Sequence, residues 1–257
     1  MAKVLGLKQL LTKKHNYLHD LPAKMKESFG NLVDAFIMII WGKSGNGKSN
    51  MTFDVVKALM PYGKVLYVSL EEGTEASIVQ TITRHFNIEE HTGKIEFADH
   101  EMTYDKLVAK LKKKKSPKFI VIDSIQYWNI NYEQYKALKE MFKRKAFIFI
   151  SHARGQDPKG GIAEAIRYDA GIKVHVDRYI GFVVCRYGGN KPYVIWEDGA
   201  KLKWGKDYNN AITGANDKKN RKKRTAKPKL QAEAVTHMQV LPEAQKPVFK
   251  EPLKEVI

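Results

Sequence analysis

Short apolar runs alternate with amphipathic stretches as far as residue 151. The apolar runs have the length of buried strands, and the amphipathic stretches repeat their apolar residues at helical spacing. Alternation of this kind predicts a mostly parallel sheet covered by helices. The predicted strands are 36–41, 64–70, 94–98, 118–123 and 146–151, and the predicted helices are 48–60, 74–86, 103–114 and 132–144.

The pattern changes after Ala170, where strand-like runs follow one another. The runs 171–176, 179–186 and 192–197, with the turn Gly188-Gly189-Asn190, predict a meander that closes one edge of the sheet. The predicted fold class is therefore α/β, with a mostly parallel twisted sheet flanked by helices and a C-terminal antiparallel edge.

The two ends of the chain differ from this central pattern. Residues 1–30 mix lysines with spaced leucines, which indicates one or two short amphipathic helices. From residue 206 onward the chain loses aromatic and β-branched residues, and 217–229 is a basic block. We therefore divide the chain into a basic helical segment (1–30), an α/β core (31–205) and a basic tail (206–257) that is expected to be disordered.

Composition narrows the possible partners and the compartment. The formal net charge of +17 attracts polyanions, so nucleic acid is the first partner to test. The single cysteine, Cys185, excludes an intrachain disulfide and fits a reducing compartment. No apolar run reaches the roughly 20 residues of a membrane helix, and the N-terminus lacks a secretory signal. We expect a cytoplasmic protein without a membrane partner.

The first predicted strand leads into a glycine-rich string that satisfies the pattern G-x-x-x-x-G-K-[ST]. The string is Gly42-Lys43-Ser44-Gly45-Asn46-Gly47-Lys48-Ser49. It stands between a strand and a helix, as the motif requires, and its glycines let backbone N–H groups converge on phosphate oxygens. Lys48 would reach the β- and γ-phosphates, and Ser49 would hold Mg²⁺. The predicted cofactors are therefore ATP and Mg²⁺.

Acidic and polar residues stand at the ends of three other predicted strands. Asp123 ends the strand 118–123, as a Walker B carboxylate that holds Mg²⁺ through water does. Glu71 and Glu72 follow the strand 64–70, where a carboxylate would orient and deprotonate the attacking water. Alternatively, both acids only favour the start of the next helix. His152 follows the strand 146–151, at the edge where parallel sheets place ligands, and would sense the γ-phosphate.

Together these residues resemble the RecA-like ATPase core, in particular bacterial RadA and the DnaB-type replicative helicases. Val121-Ile122-Asp123-Ser124-Ile125-Gln126 resembles the Walker B segment of RadA. Val68-Ser69-Leu70-Glu71 resembles the DnaB-type string with the catalytic glutamate, which favours Glu71 over Glu72. The resemblance covers roughly residues 30–200 and includes neither the accessory domains of RadA nor the N-terminal domain of DnaB. The plan is similar to phage-encoded RecA-like proteins that assist recombination or annealing.

Cys185-Arg186-Tyr187-Gly188 resembles the Lys-Asn-Arg-Phe-Gly motif of RadA, whose basic residues reach the γ-phosphate bound by the adjacent subunit. The resemblance implies that Arg186 is catalytic, and that the protein forms a ring or filament with active sites between subunits. The lysine of the motif falls on Val184 and is missing. An arginine in this position neutralises charge on the transferring phosphoryl group. The alternative is a solvated arginine on an edge strand.

The same resemblance implies where single-stranded DNA would bind. In RecA-like proteins the loops after the Walker B and sensor strands hold it, and they correspond here to about 126–133 and 153–168. The second region is glycine-rich, with Arg154, Lys159 and Arg167 as candidate phosphate contacts. The first contributes Tyr127 and Trp128, which would either stack on bases or pack in the core or an interface.

The sequence therefore predicts an ATPase that is stimulated by single-stranded DNA and acts in phage or mobile-element recombination, annealing or replication, in the host cytoplasm if it is phage-encoded. A hexameric helicase motor of the same class is the first alternative. A nucleotide-switched adaptor or regulator with a protein partner is the second, and the charge of +17 disfavours it.

Overall fold

The computed structural model describes residues 4–213, and the predicted basic block 217–229 lies outside them. The strands are β1 (Ile37–Gly42), β2 (Val65–Ser69), β3 (Ile95–Ala98), β4 (Phe119–Asp123), β5 (Ala146–Arg154), β6 (Asp157–Pro158), β7 (Ile172–Asp177), β8 (Ile180–Cys185) and β9 (Tyr193–Val194). The α-helices are α1 (Leu7–Leu11), α2 (Ala23–Phe29), α3 (Lys48–Leu59), α4 (Ala76–His85), α5 (Ile88–His91), α6 (Tyr104–Lys112), α7 (Tyr132–Met141), α8 (Gly161–Asp169), α9 (Glu197–Trp204) and α10 (Tyr208–Ile212).

The strands form one mixed sheet in the order β3-β2-β4-β5-β1-β7-β8-β9, and β6 pairs with the end of β5. Every pair from β3 to β7 in this order is parallel, whereas β7, β8 and β9 pair antiparallel. The predicted α/β class, with its antiparallel edge, is confirmed. Because parallel strands run in one direction, the ends of β1, β2, β4 and β5 meet at one edge of the sheet.

The sheet is buried on both faces, which explains why its central strands read as continuous apolar runs. Met38, Ile40 and Val121 face one core cluster, together with α3. Ile39 and Ile120 face the other cluster, which includes residues of α6, α7 and α8. This two-sided packing holds the ends of the strands rigidly at the edge where the polar residues lie.

The region 153–168, predicted as one glycine-rich loop, is instead a hairpin and a helix. β5 continues to Arg154 and pairs with β6, and α8 begins at Gly161. The helix forms because Ala163 and Ile166 lie on one face, where both are buried against the sheet. Of the predicted loop, only short connections around these two elements remain.

The packed structure also extends beyond residue 205, where the predicted tail begins. The predicted strand 192–197 is only two residues long, because Glu197 already begins α9. A 3-10 helix (Gly205–Asp207) and α10 follow, and Ala211 of α10 packs against Ile180 and Ala200. Residues 206–212 therefore belong to the folded core rather than to a disordered tail.

The N-terminal segment divides into an exposed and a packed part. The leucines of α1 are exposed, whereas Leu18, Leu21, Met25 and Phe29 are buried in the core. The predicted boundary at residue 30 therefore does not separate two packing units. Across residues 4–213, no helix is both long and apolar enough to cross a membrane.

Candidate active site

The phosphate loop, Gly42 to Ser49, lies at the centre of the edge formed by the strand ends. Gly42 pairs with His152 on β5 and with Val176 on β7. Gly45 and Gly47 have φ angles of +73° and +97°, in the region that favours glycine. Gly47 is the N-cap of α3 and no side chain caps the helix. The N–H groups of its first turn are therefore available where a phosphate would bind.

Lys48 is placed between the loop and the carboxylates opposite. Its ammonium donates to the backbone oxygen of Lys43, with the two atoms 3.1 Å apart. Burial lowers the pKa of Lys48, and the negative charges of Asp123 and Glu71 oppose this shift. One cation thus lies near two carboxylates, an arrangement that suits the phosphates and Mg²⁺ of a bound nucleotide.

Asp123 ends β4 at the same edge of the sheet, in register with Ser69 of β2. The hydroxyl of Tyr67 donates a hydrogen bond to its carboxylate, and the peptide bond between Asp123 and Ser124 is cis. Burial raises the pKa of Asp123 to about 6, although the hydrogen bond from Tyr67 opposes this. The carboxylate of Asp123 and the hydroxyl of Ser49 fit Mg²⁺, which binds few protein oxygens and completes its shell with phosphate and water.

Glu71, which the resemblance favours as the catalytic acid, and its neighbour Glu72 have different surroundings. Oε2 of Glu71 lies 2.8 Å from Nε2 of His152 and accepts a hydrogen bond from Ser124 at 3.2 Å. Glu72 instead accepts a hydrogen bond from the hydroxyl of Ser77 at the start of α4. The structure therefore brings Glu71, His152 and Asp123 together and places Glu72 with the next helix.

Gln126 is not among the predicted site residues, yet its side chain makes three hydrogen bonds. Its amide nitrogen donates to Oγ of Ser151 at 2.8 Å and to the backbone oxygen of Lys159 at 2.7 Å. Its amide oxygen accepts a hydrogen bond from the N–H of His152 at 3.1 Å. The only sequence signal was its place in the string that resembles RadA.

The hairpin between β7 and β8 also reaches the phosphate loop. The N–H of Tyr179 donates to the backbone oxygen of Asn46 at 3.1 Å, and a Cβ on Gly47 would lie 3.0 Å from the Tyr179 ring. Arg178 and Tyr179 form the turn with φ angles of 45° and 63°. The guanidinium of Arg178 lies 3.3 Å from the ring centroid of Trp204, so α9 holds this turn against the loop.

Arg186 lies at the opposite end of the strands from the phosphate loop. Its N–H donates to the backbone oxygen of Gly171, which precedes β7. Val176, the partner of Gly42, is five residues further along β7, or roughly 16 Å in an extended strand. Arg186 is exposed and lines a groove with Lys139, Lys143 and Asp169. Its side chain is therefore too far away to touch the phosphate loop of its own chain.

The surroundings of Arg186 contain another cation. Lys173 of β7 pairs with Val184, which is 63% exposed and occupies the position of the missing lysine. Burial lowers the pKa of Lys173, and the positive charges of Arg186 and Arg167 lower it further. Cations are thus concentrated on this end of the β7–β8 pair.

The predicted nucleic-acid contacts other than Trp128 lie on three different elements. Arg154 and Lys159 are exposed on the β5–β6 hairpin. Arg167 lies on α8, where it pairs with Asp157 at 2.9 Å. Tyr127 is 54% exposed, with its ring 6.1 Å from that of His152.

The prediction that Trp128 stacks on bases is wrong. Trp128 is only 4% exposed, and its indole N–H donates to the backbone oxygen of Met102 at 3.1 Å. It packs in the core cluster with Leu107 and Tyr135. A buried indole with a satisfied N–H has no face to offer to a base, so the alternative reading, core packing, applies to this residue.

No protein-family model and no curated protein matches this sequence. Similar solved structures include a KaiC-like protein from the hyperthermophilic archaeon Pyrococcus horikoshii, with a TM-score of 0.50 and 20% identity, covering 65% of this chain and 85% of that one. The flagellar accessory protein FlaH from Methanocaldococcus jannaschii has a TM-score of 0.53 and 16% identity, covering 70% and 94%. Similarity at sequence identities this low indicates a shared fold and nothing more. The chain has the RecA-like fold of P-loop ATPases.

Proposed function

We propose that this protein is a Mg²⁺-dependent ATPase that binds single-stranded DNA and acts in phage or mobile-element recombination, annealing or replication. One observation carries the proposal. His152 on β5 contacts Glu71 beside the phosphate loop, and the exposed cations Arg154 and Lys159 follow on the hairpin that continues the same strand. A polyanion bound to that hairpin would lie next to the site of hydrolysis.

In the proposed reaction the residues of the chain bind, orient and hold charge. The N–H groups of the phosphate loop and the ammonium of Lys48 bind the phosphates. Ser49 and Asp123 would hold Mg²⁺, which when bound would supply charge neutralisation at the phosphate oxygens. Glu71, restrained by His152 and Ser124, orients the attacking water and accepts its proton.

We further propose that Arg186 acts on the nucleotide bound by a neighbouring copy. Its distance from the phosphate loop of its own chain and its exposure support this role. The groove is lined by four cations, including Arg186, and by the two acids Glu140 and Asp169, so its net charge is positive and an anion from another subunit would be attracted to it. The proposed assembly is therefore a homo-oligomer, ring or filament, with active sites between subunits.

The DNA contacts proposed for the hairpin are electrostatic, and Tyr127 supplies one exposed ring beside it. Arg154 and Lys159 would contact backbone phosphates without reading sequence. Tyr127 lies next to His152 and would stack on a base. The charge of +17 adds affinity of the same unspecific kind.

The direct test measures ATP hydrolysis with and without an oligo-dT strand, for the wild type and for Lys48→Ala. We expect stimulation by the strand in the wild type and no hydrolysis in the variant, because Lys48 contacts the transferring phosphate. Failure of any single strand to bind at moderate salt would refute the proposal.

Two further measurements separate the alternatives. Unwinding of a forked duplex would identify a helicase motor. Hydrolysis that is indifferent to DNA, together with nucleotide-dependent capture of a defined protein partner, would identify an adaptor.

A further inference from the structure

Gln126 joins the candidate active site to the basic hairpin, by which we mean residues 153–160 with the exposed Arg154 and Lys159. It lies in the 3-10 helix Ile125–Tyr127, directly after Asp123 and Ser124, so its backbone moves with the end of β4. Its side chain then crosses to β5 and contacts both His152 and Lys159. One half-buried amide thus spans the distance from the Walker B segment to the hairpin.

The three hydrogen bonds fix the orientation of this amide. Its oxygen faces the N–H of His152, and its nitrogen faces two acceptors, Oγ of Ser151 and the backbone oxygen of Lys159. The amide must therefore donate twice on one side and accept on the other, whereas an ionised glutamate only accepts and a protonated one donates once. Among side chains of this length, glutamine alone satisfies every partner.

Lys159 is held to His152 by two routes. Its N–H donates to the backbone oxygen of His152 at 2.9 Å, and its own backbone oxygen accepts from Gln126. His152 in turn contacts Glu71 through Nε2. A displacement of the Glu71–His152 pair would therefore change the hydrogen bonds of Gln126 and, through them, the position of the hairpin.

We propose that Gln126 is a positioning residue that transmits the nucleotide state of the Glu71–His152 pair to the basic hairpin. The part of this proposal that concerns DNA rests on the proposed function. The part that concerns the hairpin requires only that a nucleotide binds to the phosphate loop. The two parts have separate measurements.

Gln126→Glu is the most specific variant. It keeps the shape and the acceptor facing His152, but it places an oxygen against the backbone oxygen of Lys159. The matched control is Gln80→Glu, the same change on the exposed surface of α4. Gln126→Met, which removes the three hydrogen bonds without adding charge, serves as a second variant if the glutamate prevents folding.

The first measurement is hydrogen–deuterium exchange of residues 153–160, with and without Mg²⁺ and a non-hydrolysable ATP analogue. We expect the analogue to change the exchange of these amides in the wild type and in Gln80→Glu, and to leave it unchanged in Gln126→Glu and Gln126→Met. An equal change in all four proteins, or no change in the wild type, would overturn the proposal.

The second measurement is the ratio of kcat with and without an oligo-dT strand, together with the KM for ATP. Coupling between sites is typically worth about 5–150-fold, so we expect the ratio to fall by about fivefold or more in both Gln126 variants. A stimulation ratio that the variants retain contradicts the inference. A wild type without any stimulation contradicts the proposed function instead, and the exchange result still decides the role of Gln126.

Discussion

Asp123 combines a buried position with a proposed role, the binding of Mg²⁺, that requires its charge. Burial raises its pKa from the ordinary 3.8 to about 6. The folded protein therefore holds this proton more tightly than the unfolded chain, and the free energy of unfolding falls as the pH rises from about 4 to about 6. Above this range the ionised carboxylate destabilises the fold unless a cation such as Mg²⁺ lies beside it.

Asp123→Asn should therefore stabilise the protein while it abolishes hydrolysis. Two pKa units correspond to roughly 3 kcal/mol at most, so we expect a gain of roughly 1–3 kcal/mol in the free energy of unfolding at pH 7.5 without Mg²⁺ or nucleotide. Denaturant titration measures it. Near pH 4, where the folded wild type is already protonated, the gain should largely disappear; a gain independent of pH would contradict this account.

Glu71 and Glu72 provide a matched pair of variants. Glu71→Gln keeps an acceptor for Ser124 but removes the base, so kcat should fall by about 10²–10⁴-fold while the ATP analogue still binds. Glu72→Gln likewise keeps an acceptor, here for Ser77, and should leave kcat nearly unchanged. Steady-state kinetics and nucleotide titration of both variants measure this difference, and similar losses of kcat would show that neither acid is the base.

The residues that the sequence reveals at this site are those that belong to a local string. The phosphate loop, Asp123 and Glu71 each stand at the end of a recognisable strand. The roles of Tyr67 and Gln126 cannot be found in this way, because the partner of Tyr67 lies 56 residues away in the chain and the partners of Gln126 lie 25 to 33 residues away. From the sequence alone, Tyr67 cannot be distinguished from any other buried aromatic residue of a strand. Its hydrogen bond to Asp123 depends on the pairing of β2 with β4.

At the scale of elements, the electrostatic role proposed for the basic hairpin can be measured. Each phosphate contact on a single strand contributes about 0.7 to the slope of log K against log salt. Replacing Arg154 and Lys159 by alanine together should therefore lower that slope by about 1.4 and weaken binding at low salt. Fluorescence anisotropy with labelled oligo-dT at several salt concentrations measures both quantities.

The matched control for this experiment removes the same charge elsewhere. Lys106→Ala with Lys201→Ala also lowers the net charge by two, but these exposed lysines pair with Glu101 and Glu197. We expect the slope to stay within about 0.3 of the wild type. An equal reduction by both double variants would assign the effect to net charge rather than to the hairpin.

The sequence predicts an element where its residues are buried uniformly, and it does not predict one where the apolar pattern is only a few residues long. The parallel strands are buried on both faces, so their apolar runs identify them without reference to neighbours. α8 was missed because its buried residues Ala163 and Ile166 follow the pair Gly160-Gly161, which is typical of a loop. α10 is not predicted because Ala211 is buried in a cluster that includes residues from distant elements, among them β8 and α9.

At the scale of the whole molecule, the distance between Arg186 and the phosphate loop of its own chain makes the proposed assembly testable. Lys48→Ala and Arg186→Ala should each be inactive alone. If the site is shared between copies, an equal mixture should recover up to about a quarter of the wild-type rate, because that fraction of random neighbours combines an intact loop with an intact arginine.

The mixture must be measured after subunits have exchanged, and size-exclusion chromatography with light scattering establishes that oligomers are present. The control is an equal mixture of Lys48→Ala with the double variant that lacks both residues, which contains no intact pair and should stay inactive. Recovery in the control, or full activity of Arg186→Ala alone, would exclude a shared site.

The contact between Gln126 and Lys159 has a consequence for how such a protein would evolve. Gln126 binds the backbone oxygen of Lys159, not its side chain. Any residue at position 159 presents the same oxygen, so selection can replace the side chains of the hairpin while the link to the nucleotide site is inherited intact. Substitutions in the hairpin would then change which polymer the protein binds, while the contact between Gln126 and the backbone of residue 159 stays the same.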